Sequence, residues 1–157
     1  NYIRFWFAFV YPNRSFIESG NGSIVMSKIH RSLVKGHIAC VYGDVCRERM
    51  WDLNAEGCWP FHFSKIGRWW DAHDEIDIAA IDPDGNNLIL GECKFWQEPV
   101  GIRVLRSLEA KTPRVAWKNQ NRRVWYVLFG VSGFTEELKQ LAETRNDLML
   151  CEEESLP

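Results

Sequence analysis

The apolar positions change period along the chain, and the changes mark out its elements. An aromatic run, Phe5 to Tyr11, opens the sequence and is broken at Pro12-Asn13. Ser19-Gly20-Asn21-Gly22 follows as a loop. Ile24, Ile29 and Leu33 then lie near one helical face, with Gly36 as the stop. A second helix is predicted through Ile38, Val41, Tyr42, Val45 and Arg49, ending around Asn54 to Gly57. From residue 65 the period shifts towards two. Strands are predicted at Lys65 to Trp70, Glu75 to Ile81 and Leu88 to Phe95, the last two flanking the turn signal Asp82-Pro83-Asp84-Gly85-Asn86. Val100 to Lys111 reads as a helix with Val104, Leu105 and Leu108 facing inward, stopped by Pro113. Arg123 to Val131 is a nearly continuous apolar strand, the pattern of a strand buried on both faces. Thr135 to Arg145 reads as a helix with Thr135 as N-cap and Arg145 in its last turn; Leu148 to Glu152 is a final strand. The order α, β, β, β, α, β, α, β predicts a mixed α/β sheet with helices on each side.

Composition adds few constraints. The 157 residues suit one compact domain with an appended segment, and 19 basic against 21 acidic residues leave a net charge of −2. Bulk charge therefore does not announce a nucleic-acid binder, although a local patch can still hold phosphate. Five cysteines without a CxxC pair read as reduced thiols and a cytoplasmic location. No stretch is long enough for a membrane span. The apolar opening predicts residues 1–20 as an aromatic linker segment towards a missing upstream domain, with the remaining domain over 21–157. The alternative is that Phe5, Trp6, Phe7 and Phe9 dock on the chain's own core.

The hairpin carries the chemistry. A two-residue turn on Asp84-Gly85, or a four-residue turn with the same centre, sets Asp77 opposite Glu92 and Glu75 opposite Lys94. Glu92 and Lys94 then share a face, as do Glu75 and Asp77. Asp77 facing Glu92 asks for compensation. Lys94 can supply it; so can a divalent cation, since two carboxylates and waters suit Mg²⁺. Such an ion polarises phosphate and acidifies bound water, while Lys94 orients the water or steadies the phosphate's charge. The competing reading is a solvated strand rim with a weak ion pair.

Asp77 and, fifteen positions on, Glu92-Cys93-Lys94 resemble the active centre of PD-(D/E)XK, restriction-endonuclease-like nucleases, without the leading Pro-Asp form. The opening Tyr2 to Arg14, Asp44-Val45-Cys46-Arg47-Glu48, Ile66 to Trp70, Glu75 to Ala79 and Gly91 to Trp96 resemble one family within that superfamily. It is the C-terminal domain of archaeal-type, STAND-like AAA+ ATPases. The resemblance implies a restriction-endonuclease-like mixed sheet preceded by a helical segment, and Mg²⁺-dependent phosphodiester hydrolysis with Asp77, Glu92 and Lys94 catalytic. It implies upstream P-loop ATPase and winged-helix domains as partners. This chain has no Walker motif, so ATP hydrolysis is excluded from it. Where the family carries a helix glutamate, this chain has Gly43 followed by Asp44, which makes Asp44 the candidate third metal ligand and a catalytically degenerate regulatory or docking module the alternative.

Residues 103 to 123 hold seven basic groups against Glu109. Arg114, Trp117, Lys118 and Arg122 are candidates for contacting DNA or RNA through phosphate and base stacking; a solvated helix face and polar loop is the plainer reading. Acidic residues dominate 136 to 154, a charge separation that suits domain docking or a homo-oligomer. His73 and Gln97 are further candidates, each with a structural alternative as loop histidine or strand-end cap.

Overall fold

The structure is a computed structural model and describes residues 2–23, 25–26 and 38–152. The helix expected through Ile29 and Leu33 lies largely outside these residues. Contacts divide the chain into Asn1–Val41 and Tyr42–Pro157. In the first unit the aromatic run is helical, not extended. An α-turn (Tyr2–Phe5), a π-turn (Trp6–Val10), a 3-10 turn carrying Pro12 (Tyr11–Asn13) and a short α-helix (Arg14–Glu18) follow one another. Aromatic residues four apart meet on this spiral: Phe5 and Phe9 have centroids 5.4 Å apart, and Phe7 and Tyr11 5.8 Å. Phe9 and Val25 are buried together.

Helix α1 (Ile38–Ala55) crosses into the second unit. Strands β1 (Lys65–Trp70), β2 (Glu75–Asp82), β3 (Asn87–Lys94), β4 (Arg123–Gly130) and β5 (Leu148–Glu152) form one sheet in that order, with α2 (Ile102–Lys111) and α3 (Glu136–Glu143) as crossovers. The first three strands are an antiparallel meander; β3, β4 and β5 are parallel. This is the five-stranded mixed sheet, flanked by helices, that the restriction-endonuclease-like resemblance implied.

Two apolar layers explain the sandwich. Tyr42, Cys46, Met50 and Leu53 recur at helical spacing and bring α1 onto Ile78, Ala80, Ile89, Val127 and Phe129. Leu105 and Leu108 of α2 and Leu138 of α3 pack with Leu88, Leu90, Tyr126 and Leu128. Fully burying one such leucine contributes about 2 kcal/mol. The alternation of strand side chains thus sends Cys93 towards α1 and its neighbours Glu92 and Lys94 towards α2.

Chain ends of these elements are fixed locally. Gly57, at φ 72°, closes α1: its N–H bonds Asn54 O and that of Cys58 bonds Leu53 O, the left-handed glycine stop. Buried Asn54 then bonds both backbone polar groups of Phe63, at 3.1 and 3.0 Å. Thr135 holds the N-cap position of α3, but its hydroxyl makes no hydrogen bond among the described residues; its carbonyl receives the N–H of Leu138 and Lys139. Arg145 falls beyond the helix end rather than in its last turn. Its guanidinium clasps Asp147 at 2.8 Å and Glu109 at 2.5 Å, tying the α3–β5 connection to α2.

Candidate active site

The β2–β3 register decides the site. Asp82 pairs with Asn87 and Ile78 with Gly91, so the loop is the four-residue alternative, Pro83 to Asn86. Asp82 organises that loop by accepting the N–H of Asp84 and Gly85, while Asn87 donates to its other oxygen at 2.9 Å. These bonds hold the Asp82 carboxyl below the usual range, the Gly85 N–H contributing most. A Cβ on Gly85 would lie 2.2 Å from Asp82 Oδ2, so any side chain there would displace the carboxylate that organises the loop. Extending the register sets Asp77 across from Glu92. The backbone ladder gives way there to a side chain: Asp77 Oδ2 accepts the N–H of Cys93 at 3.0 Å.

Glu92 is buried and flanked by cations. Lys94 Nζ lies 2.5 Å from its Oε2 and Lys111 Nζ 2.8 Å from its Oε1. Lys94 is also 3.8 Å from Asp77, and Arg68 reaches Glu75 at 3.0 Å and Asp77 at 3.9 Å. Burial pushes the Asp77 carboxyl up, assisted by the nearby Glu92 charge and opposed by the Cys93 N–H. Burial pushes Glu92 up too, but Lys94 and Lys111 outweigh it and hold the group below its ordinary value. Of the pair, Glu92 is the more readily ionised, and Asp77 holds its proton to higher pH. Two carboxyl groups with pKa values driven apart are the usual raw material of acid–base chemistry. Gly91 permits the arrangement, since a Cβ there would lie 2.5 Å from Val127 Cγ1 and 2.9 Å from its carbonyl oxygen.

The structure brings Asp77, Glu92 and Lys94 together. Asp44 sits on α1, the helix against the other sheet face, where it pairs with Arg47, whose guanidinium donates to the Asp77 carbonyl at 2.9 Å. Among the described residues no group of three or more His, Cys, Asp or Glu is placed to hold a metal ion. The Cys93 thiol bonds Cys46 on the α1 side and is pushed up by that bond and by burial. The basic segment is drawn into internal bonds. Arg114 pairs with Asp71 and Asp74, Lys118 with Asn86 and the Pro83 carbonyl, and Arg122 with the carbonyls of Thr112, Val115 and Trp117. Trp117 is half-buried on the α2 side of the core. His73 lies in the β1–β2 turn and Gln97 beyond β3, both exposed. Sequence spacing missed Lys111. It follows Leu108 by three, on the helix stripe that faces the sheet, but spacing alone does not say which strand it meets.

The fold is a mixed α/β sheet with this charged hairpin at its centre. Residues 6–112 match the family model DUF234, described as archaeal and bacterial proteins of unknown function, and the chain belongs to that family. The uncharacterized protein MJECL04 of Methanocaldococcus jannaschii is 35% identical over 98 residues, covering 62% of this chain. The match covers 21% of that relative's length. Among solved structures, a repair endonuclease from Pyrococcus abyssi is similar over 57% of this chain and 38% of its own, at 18% identity and a TM-score of 0.37. No helix among the described residues is long and apolar enough to cross a membrane.

Proposed function

We propose that the domain hydrolyses phosphodiester bonds of DNA or RNA at Asp77, Glu92 and Lys94 with the help of a divalent cation. The observation that carries this reading is the convergence of the two carboxylates and Lys94 on one half-buried face. The donors fit Mg²⁺ in kind: both are hard oxygens, and among the described residues Asp77 Oδ1 accepts no hydrogen bond, its ion pair with Arg68 being 3.9 Å long. Asp77 and Glu92 would hold the ion, which when bound polarises phosphate and lowers the pKa of water. Asp77 is held in place by the Cys93 N–H, so its carboxylate is oriented before any ligand arrives. Lys94 lies between the two carboxylates, and in this reading it orients the attacking water and offsets charge gathering on the phosphate. The family resemblance makes an upstream P-loop ATPase and winged helix the proposed partners in a longer chain.

A second reading has its own support. Gly43 stands where the resemblance expects a glutamate, and Asp44 is paired with Arg47. A fold kept for nucleic-acid binding, regulation or docking would show the same features. The deciding experiment incubates the chain with labelled single-stranded and duplex DNA and RNA in Mg²⁺ or Mn²⁺. Hydrolysis that Asp77→Asn and Lys94→Met each reduce by at least about a hundredfold supports catalysis here. Cleavage that survives both substitutions places the activity elsewhere, and none in any condition favours the second reading.

A further inference from the structure

Lys111 ends α2 and is only 18% exposed. Its ammonium makes two bonds to two different strands: 2.8 Å to Glu92 Oε1 on β3 and 2.9 Å to the Glu75 carbonyl on β2. That carbonyl belongs to the residue paired with Trp70, so its position is fixed by the sheet. Lys94 holds the other Glu92 oxygen. Both oxygens of the carboxylate thus carry an ammonium group. A divalent cation on Glu92 Oε1 would meet the Lys111 charge at contact distance, where like charges in a half-buried setting repel strongly. The two cannot share that oxygen.

We infer that Lys111 is a resident counter-cation that competes with divalent metal for Glu92, so that metal enters by displacing it. The inference rests on the metal-centre reading above. Lys111 is the member of the pair suited to leave. Its long flexible stem springs from the last turn of a helix, and the freed ammonium can swing to solvent. Lys94 rises from the strand itself and faces Asp77 as well as Glu92. The metal-free domain is accordingly latched, with α2 tied to the β2–β3 hairpin through one lysine, and loading opens the latch. Lys111 is a positioning residue in this account, acting on the site through Glu92.

The test is Mn²⁺ titration of the full chain by calorimetry, beside metal-free and Mn²⁺-loaded melting curves. Lys111→Met should bind Mn²⁺ at least about tenfold more tightly than the parent chain, the factor expected for removing one charge-assisted bond. Its metal-free melting temperature should fall, and saturating Mn²⁺ should raise it by more than it raises the parent's. Lys111→Arg, which keeps the charge, should stay near the parent affinity. Equal Mn²⁺ affinity in the parent and Lys111→Met, with Asp77→Asn abolishing both, would overturn the competition while leaving the metal centre standing. Binding to none of the proteins would remove the centre and the competition together. Should Lys111→Met not fold, Lys111→Gln supports the same comparison.

Discussion

Replacing Glu92 by glutamine keeps the shape of the site and deletes the charge that both lysines need. Two charge-assisted bonds, at 2.5 and 2.8 Å, lose their anionic acceptor. Each contributes about 1.5–3 kcal/mol when its partners are confined. The lysines are 21% and 18% exposed, so both ammonium groups can regain water by moving a short way. One amide oxygen also remains to accept from one lysine. Relief of the Asp77–Glu92 repulsion returns a further part. The net expectation is a loss of about 2 kcal/mol in metal-free buffer, or a melting temperature lower by roughly 4–8 °C for a chain of this size. Urea unfolding with EDTA, followed by circular dichroism, measures it. A double-mutant cycle with Lys111→Met should show non-additivity of about 1 kcal/mol, since the two substitutions remove the same bond. An unchanged or higher unfolding midpoint in Glu92→Gln would refute the reasoning. It would mean that the two carboxylates repel each other more than the lysines hold them.

Further expectations concern the frame of the hairpin. Gly91→Ala should destabilise the fold by about 2 kcal/mol or more, because the new methyl meets the Val127 carbonyl, which the sheet cannot move; unfolding within 0.5 kcal/mol of the parent, measured by denaturant titration, would show that the strands spread easily there. Asp82→Asn tests a pH dependence. The Asp82 carboxyl is lowered in the folded state, so its contribution is complete above the ordinary carboxylate pKa of about 3.9 and is lost as pH falls through the lowered value. The stability gap between parent and variant should be flat near neutrality and shrink below about pH 4. A gap that persists undiminished into stronger acid would show that the charge does not hold the turn.

The hairpin was legible because two independent signals agree. The Asp82 to Asn86 turn centre and the period-two pattern lead to the same register, and that register alone puts Asp77 beside Glu92 and Lys94. The element order followed from equally local signs, such as the apolar run of β4. Lys111 was not legible as a site residue, because its approach to Glu92 depends on how α2 lies across the sheet. Helical spacing gives the face of a helix, not the strand it meets. Arg145 shows the same limit at the far end of the sheet. A terminal arginine suits a helix dipole, yet in the fold Asp147 and Glu109 capture it beyond the helix end. In the opening segment the aromatic residues carry no clear period, since π and 3-10 turns interrupt the α-helical one. For Asp44, it was the family resemblance that suggested a third ligand. In the fold α1 packs through Tyr42, Cys46 and Met50, and Asp44 pairs with Arg47, whose guanidinium bonds the Asp77 carbonyl.

The most direct test of the central claim is a crystal of the chain grown with Mn²⁺ and measured at the manganese absorption edge. Manganese held by Asp77 and Glu92 should give an anomalous peak at their carboxylate oxygens, with the Lys111 ammonium moved off Glu92 Oε1. A map without manganese at these carboxylates, with Lys111 still bonded to Glu92 under saturating Mn²⁺, would contradict it.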